Sequence, residues 1–255
     1  MNGYIVFFLV CFLMYISPCL DLSLILCHKI SSMMRKNFIF LLFFLSLPLY
    51  SQKSKTAQSM EAQGLVDITS LDSTIRVSLM YSRADNFTGK VLYSDLREAY
   101  LHPKAAKALA QAQKLLKDKR PDLSLIVYDA ARPMTIQQKM WNVVAGTSKN
   151  IYVSNPKNGG GLHNYGMAVD ITLCDVATGD TLDMGTKVDF LGSYAHIDQE
   201  VSLVKQGIIS IQAKKNRELL RNVMCEAGFT PLRSEWWHFN LISRAEARAK
   251  YKVIK

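Results

Sequence analysis

Gly161-Leu162-His163-Asn164-Tyr165-Gly166-Met167-Ala168-Val169-Asp170 sets a histidine in a turn just ahead of a strand that carries a carboxylate. Residues 167–173 alternate, so Ala168, Asp170 and Thr172 share one face and Val169, Ile171 and Leu173 the other. The turn lets the His163 imidazole fold back toward the face that holds Asp170. An aspartate among Ala168, Val169 and Ile171 is costly to bury without a strong partner. A cation is one such partner. Taken alone, a histidine bonded to a loop and an aspartate capping a turn fit the same spacing.

Glu235-Trp236-Trp237-His238 strengthens the metal reading. Two imidazoles (His163, His238) and one carboxylate (Asp170) make three protein ligands and leave a fourth position open, the arrangement that suits zinc and an activated water. Glu235 then stands beside the last ligand as a candidate general base. In an ideal strand, residues three apart point to opposite faces, so Glu235 must lie in a turn or bulge if it shares a site with His238. The two tryptophans supply a dry wall. They are also ordinary core material, with His238 then a hydrogen-bonded strand residue.

Outward from these strings, the pattern alternates between short strands and helices without regular βαβ order. Residues 75–81 alternate as a strand. Residues 103–119 read as a helix, with Pro103 in its first turn and Ala105, Leu109, Ala112 and Leu116 as its apolar stripe. Residues 123–129 form a strand. Residues 135–144 read as a helix capped by Thr135, and 216–226 as a helix stopped by Gly228. A strand over 236–242 and a basic helical tail complete the chain. This predicts an α+β fold with a small, mostly antiparallel sheet flanked by helices. Gly159-Gly160-Gly161 does not follow a strand and open a helix, so it is a poor phosphate loop.

The chain has 255 residues, 49% of them hydrophobic and 20% charged, and a formal net charge of +10. That suffices for one folded domain. The basic residues are scattered, which fits a solvated surface facing an anionic cell envelope better than a nucleic-acid groove. The apolar excess is concentrated in residues 1–51. Met34-Arg35-Lys36, the apolar run 38–45 and the polar Gln52-Lys53-Ser54-Lys55 have the layout of a secretory signal peptide, with cleavage near Ser51. The uncharged run 1–20 reads as an over-extended N-terminus, with Met33 or Met34 the true start, ahead of the alternative of a membrane span. The expected organisation is a leader over 1–51, a polar tether over 52–64 and one domain over 65–255, with a periplasmic or secreted destination. Cys11, Cys19 and Cys27 fall in the leader. Cys174 and Cys225 could pair in an oxidising compartment or be two small apolar residues.

Val127-Tyr128-Asp129-Ala130-Ala131-Arg132-Pro133, the His163…Asp170 unit and Glu235-Trp236-Trp237-His238 together resemble the VanX-like D-alanyl-D-alanine dipeptidases of the M15 peptidases. The likeness runs in order from about residue 65 to the end. It includes Tyr81, Asp85-Asn86-Phe87-Thr88-Gly89-Lys90 and Asp183-Met184-Gly185-Thr186…Asp189. The resemblance implies a DD-peptidase fold of the M15 and hedgehog type, and one Zn2+ per chain held by His163, Asp170 and His238. It implies Glu235 as the base and Arg132 as the stabiliser of the tetrahedral oxyanion. It implies Asp189 and Tyr81 as the site for the free ammonium of a D-Ala-D-Ala dipeptide, with no nucleic-acid partner and membrane contact only through an uncleaved leader. The setting would be turnover of cell-wall peptides. A D,D- or L,D-carboxypeptidase of the same superfamily and a non-catalytic zinc module that binds wall peptides are the alternatives. Three positions depart from the common family pattern: Gly161 stands for a serine, Ala131 for a tyrosine and Tyr165 for an arginine. None is a ligand or the base.

Overall fold

The computed structural model describes residues 53–255; the expected leader lies outside the described residues. None of the described helices is long and apolar enough to cross a membrane. The expected tether is a correction. Helix α1 (Lys55–Ala62) begins at Ser54, whose hydroxyl accepts from the Ala57 amide at 3.0 Å, and it buries Ala57 and Met60. Ala57 and Met60 are its two buried apolar side chains, too few to leave a readable period in an otherwise polar segment. Thr56 and Asp95 tie its outer side, with the hydroxyl donating at 2.7 Å.

Strand β1 (Val66–Asp67) pairs with β3 (Tyr100–Leu101) in a small antiparallel ladder. The main sheet has the order β2-β4-β5-β7-β6. Its members are β2 (Arg76–Val77), β4 (Leu123–Asp129), β5 (Ala168–Asp175), β6 (Thr230–Leu232) and β7 (Glu235–Asn240). Only the β2–β4 pair is parallel; β4–β5, β5–β7 and β6–β7 are antiparallel. This is the expected α+β class.

Helix α2 (Pro103–Lys119) has the predicted bounds. His102 caps it, with Nδ1 accepting from the Lys104 amide at 3.2 Å, and Ala105, Leu109, Ala112 and Leu116 are buried against β4 and α5 (Ile211–Glu226). The start of α5 is five residues earlier than predicted, because the Ser210 hydroxyl accepts from the Ala213 amide at 2.8 Å and caps it there. Helix α3 (Met134–Val144) starts at Met134, not behind a Thr135 cap. Its first amide is satisfied from far away, by the Ile254 carbonyl at 2.9 Å. Helices α4 (Glu200–Lys205) and α6 (Arg244–Lys250) are short.

The predicted strand over 75–81 is cut to two residues. At Leu79 the chain leaves the sheet and enters a 3-10 turn, Met80–Ser82, closed by the Ser82 hydroxyl donating to the Leu79 carbonyl at 2.6 Å. The Tyr81 carbonyl accepts from the amides of both Leu92 and Tyr93. That turn drives the Tyr81 ring inward, where it is 1% exposed. Cys174 and Cys225 are unpaired; Cys174 is buried and Cys225 exposed.

Candidate metal centre and active-site cleft

Two of the proposed ligands are placed by strand register alone. Asp170 of β5 pairs directly with His238 of β7, so their side chains project from one face of the sheet. Asp170 Oδ1 lies 2.9 Å from His238 Nδ1. His163 arrives from the 3-10 turn Leu162–Tyr165, which ends at Gly166 in the left-handed region (φ 65°). A Cβ at Gly166 would also stand 2.8 Å from the His102 backbone nitrogen, so the turn requires glycine on both counts. This fold-back brings His163 Nε2 within 3.3 Å of Asp170 Oδ1 and 3.2 Å of His238 Nδ1.

The outer hydrogen bonds fix both tautomers. His163 Nδ1 donates to the Ala130 carbonyl at 2.7 Å, which leaves Nε2 as a lone pair. His238 Nε2 donates to Asn240 Oδ1 at 2.9 Å, which leaves Nδ1 as a lone pair. Two imidazole lone pairs and a carboxylate oxygen thus face one another. Three such acceptors repel unless a cation sits among them. Ligand atoms bound about 2 Å from one tetrahedral ion stand roughly 3.3 Å apart, close to the separations of this triad. The residues fit a metal, and they form a three-ligand cluster among the described residues. Burial opposes ionisation of Asp170, but positive charge or an N–H turned toward it at His163 and His238 outweighs burial and holds the carboxyl far below its usual range; with the imidazoles as lone-pair donors, a cation among them takes over that part.

Glu235 is the first residue of β7. There the β6–β7 ladder slips register between Pro231 and Leu232, so that Leu232 pairs with Glu235. This irregularity is what lets a residue three before His238 share its side. Glu235 Oε2 lies 4.0 Å from His238 Nδ1. Burial pushes its carboxyl up to about 8, with His238 opposing the shift and Asp170 and Asp189 adding to it.

Asp189 and Tyr81 meet as a pair. The Tyr81 hydroxyl donates to Asp189 Oδ2 at 2.8 Å. Among the described residues Asp189 is the one non-glycine with positive φ (65°), and burial raises its carboxyl to about 7, with Asp170 reinforcing and Tyr81 opposing. Arg132 is 7% exposed and its guanidinium stacks on the Tyr81 ring, 5.4 Å from the centroid. Its Nε donates to Asp129 Oδ2 at 2.9 Å, Nη2 reaches the same oxygen, and Nη1 donates to Gln137 Oε1 at 2.9 Å. Its own amide donates to the His163 carbonyl at 2.9 Å, so the arginine and the ligand turn are stitched together. Tyr81, Arg132, Asp189, Glu235 and the three ligands all line one cleft of about 480 Å3.

Asp129 and Gln137, which hold Arg132, escaped sequence reasoning. Asp129 ends a strand whose alternation says nothing about an arginine three residues on. A register shift between Val127 and Asp129 brings it opposite Asp170. Of the departures from the family pattern, Ala131 is buried, and the Tyr165 hydroxyl donates to the Gly159 carbonyl at 3.1 Å. Both serve the loop rather than the ligand triad.

A buried His2Asp cluster with an adjacent carboxylate, set on an α+β sheet, has the donor set of a metal-dependent hydrolase. The family model described as D-ala-D-ala dipeptidase matches residues 61–255, and the chain belongs to that M15 peptidase family. It is 33% identical over 177 residues to the D-alanyl-D-alanine dipeptidase of Escherichia coli (strain K12), covering 69% of this chain and 84% of that one. It is 28% identical over 187 residues to the D-alanyl-D-alanine dipeptidase of Enterococcus faecalis, covering 66% and 86%. The D-alanyl-D-alanine dipeptidase of Streptomyces coelicolor is 29% identical over 189 residues, covering 68% and 89%. The protein is a peptidase with a small peptide as its substrate.

Proposed function

We infer that this peptidase is a zinc-dependent dipeptidase that hydrolyses D-Ala-D-Ala during turnover of cell-wall peptides. The convergence of His163 Nε2, Asp170 Oδ1 and His238 Nδ1 beside the buried Glu235 carboxylate carries this reading. Bound by that triad, a zinc ion supplies Lewis acidity toward the scissile carbonyl and acidifies water. Glu235 accepts the proton of the attacking water and delivers it to the departing amine nitrogen. Water adds across the amide: one C–O bond forms, the C–N bond breaks, and two amino acids leave. Burial raises the proton affinity of the Glu235 carboxylate, which makes it, once ionised, a stronger base toward the attacking water.

Three N–H groups of Arg132 are spent on Asp129 and Gln137, and two of its five remain for charge that develops on the carbonyl oxygen. Its orientation is fixed before the substrate arrives. Asp189, with Tyr81 donating to it, offers an anion to the free ammonium of a dipeptide. An arrangement that reads the ammonium favours a dipeptidase over an enzyme that trims long stem peptides. The signal-peptide layout of the leader supports a periplasmic or secreted site of action.

The test is hydrolysis of a panel of alanyl dipeptides of both chiralities, with and without chelator, followed by zinc. Turnover of D-Ala-D-Ala that chelation abolishes and zinc restores is the expected result. No turnover of that dipeptide with metal restored would overturn the assignment. Equal cleavage of N-acylated peptides would point to the carboxypeptidase instead. Binding of wall peptides with no hydrolysis would point to a non-catalytic module.

A further inference from the structure

The ammonium end of a dipeptide has an assigned partner; its carboxylate end has none. The cleft offers two cations among its described lining residues, Arg132 and Arg244. Arg132 is held by Asp129. Arg244, at the start of α6, has no carboxylate of any described residue within ion-pair distance. Its Nη2 donates to the Ser154 hydroxyl at 3.1 Å. Both side chains line the cleft that contains Glu235 and the ligand triad.

Gly161 fixes where this pair sits. Its backbone (φ −107°, ψ −178°) is extended and open to any residue. The neighbour, not the backbone, crowds a side chain here: a Cβ on Gly161 would stand 2.8 Å from the Ser154 hydroxyl and 3.2 Å from its Cβ, so Ser154 would have to shift to admit one. Ser154 therefore fills the space beside Gly161, two residues before His163. Its position is supported from behind, where Gln137 Nε2 donates to the Ser154 carbonyl at 2.7 Å. The same Gln137 accepts from Arg132. A hydroxyl and an unneutralised guanidinium are thus held together on the cleft wall next to the ligand turn.

We propose that Arg244, with Ser154, is the anchor for the free C-terminal carboxylate of the substrate. A planar guanidinium binds a carboxylate through two parallel hydrogen bonds, and a serine hydroxyl adds a third donor. The zwitterionic dipeptide would then be read at both ends by opposite charges carried on different segments, Asp189 for the ammonium and Arg244 for the carboxylate. Arg244 is a specificity residue; it moves no proton. The proposal rests on the dipeptidase reading given above.

The test compares D-Ala-D-Ala with its C-terminal amide on the zinc-loaded wild type, Arg244→Gln and Ser154→Ala. Wild type should favour the free acid at least tenfold in kcat/KM. Arg244→Gln should raise KM for the free acid about tenfold or more, keep kcat within about threefold and leave the amide unchanged, so that the preference collapses. Ser154→Ala should shift KM in the same sense by less. A purely structural role for Arg244 would lower the thermal midpoint and slow both substrates alike. An acid-to-amide ratio that stays at the wild-type value in Arg244→Gln overturns the anchor. Should wild type cleave neither compound, the dipeptidase reading falls, and the anchor is judged by calorimetry with the same two probes. Acid-selective binding lost in Arg244→Gln supports it; equal affinity of wild type for acid and amide overturns it.

Discussion

Tyr81 and Asp189, 108 residues apart in the chain, meet through a hydroxyl that donates to both carboxylate oxygens, at 3.0 and 2.8 Å. The aspartate pays twice for this position, in burial that raises its carboxyl to about 7 and in a left-handed backbone. The folded pKa lies above the ordinary value of 3.8, so ionisation is harder in the folded state. Its destabilising effect is absent below about pH 4, grows between 4 and 7 and is complete above that. Asp189→Asn removes the charge, and asparagine tolerates positive φ well. In metal-free protein at pH 8 this variant should be more stable than wild type by on the order of 2–4 kcal/mol, and the gain should vanish near pH 4. Denaturation at both pH values checks this, and equal stability at pH 8 would refute it.

The same carboxylate predicts a pH dependence of binding. Below about 7 the free enzyme holds Asp189 protonated, and it attracts an ammonium only weakly. KM for a dipeptide with a free amine should therefore fall as pH rises through 7, until the substrate amine itself loses its proton near 8. An N-acylated substrate should show no such fall. A KM profile flat from pH 6 to 7.5 for the free amine would exclude the ammonium role.

Glu235→Gln should keep stoichiometric metal and lose about 10²–10⁴-fold in kcat, since the side chain retains its shape but cannot carry the proton. Metal analysis and steady-state rates together decide. Loss of metal would mean that Glu235 supports the ligand set instead.

Asp170→Ala should abolish metal binding, and with it activity, because the carboxylate is the only anionic donor of the triad. Asp170 and His238 are cross-strand partners, so His238→Ala should match it. Elemental analysis after dialysis is the direct measurement.

Arg217 of α5 donates from Nε to the Met184 carbonyl at 2.7 Å and from Nη2 to the Tyr194 carbonyl at 3.1 Å, five residues to either side of Asp189. Its guanidinium lies over Trp236, whose indole N–H donates to Thr186 at 2.8 Å. Arg217→Met should cost roughly 1–3 kcal/mol, because it strands the buried Met184 carbonyl. It should raise KM for free-amine dipeptides more than it lowers kcat. A loss of stability with unchanged KM would separate the loop from recognition.

Sequence alone determined the chemistry-bearing residues and the elements that hold them, because these are local. The apolar stripe of residues 103–119 shows a helix regardless of what covers it, and the alternation after Gly166 shows a strand with Asp170 on one face. The tertiary structure decided what depends on distant partners: the β5–β7 register that sets Asp170 opposite His238, and the ladder slip that brings Glu235 to the same side. It decided the 3-10 turn that ends the Tyr81 strand early, and the helix over 55–62, whose two buried side chains leave too faint a period to read. Asp129 beneath Arg132, and Ser154 in the space beside Gly161, are likewise relations between side chains that no spacing encodes, since packing is settled by neighbours from elsewhere in the chain.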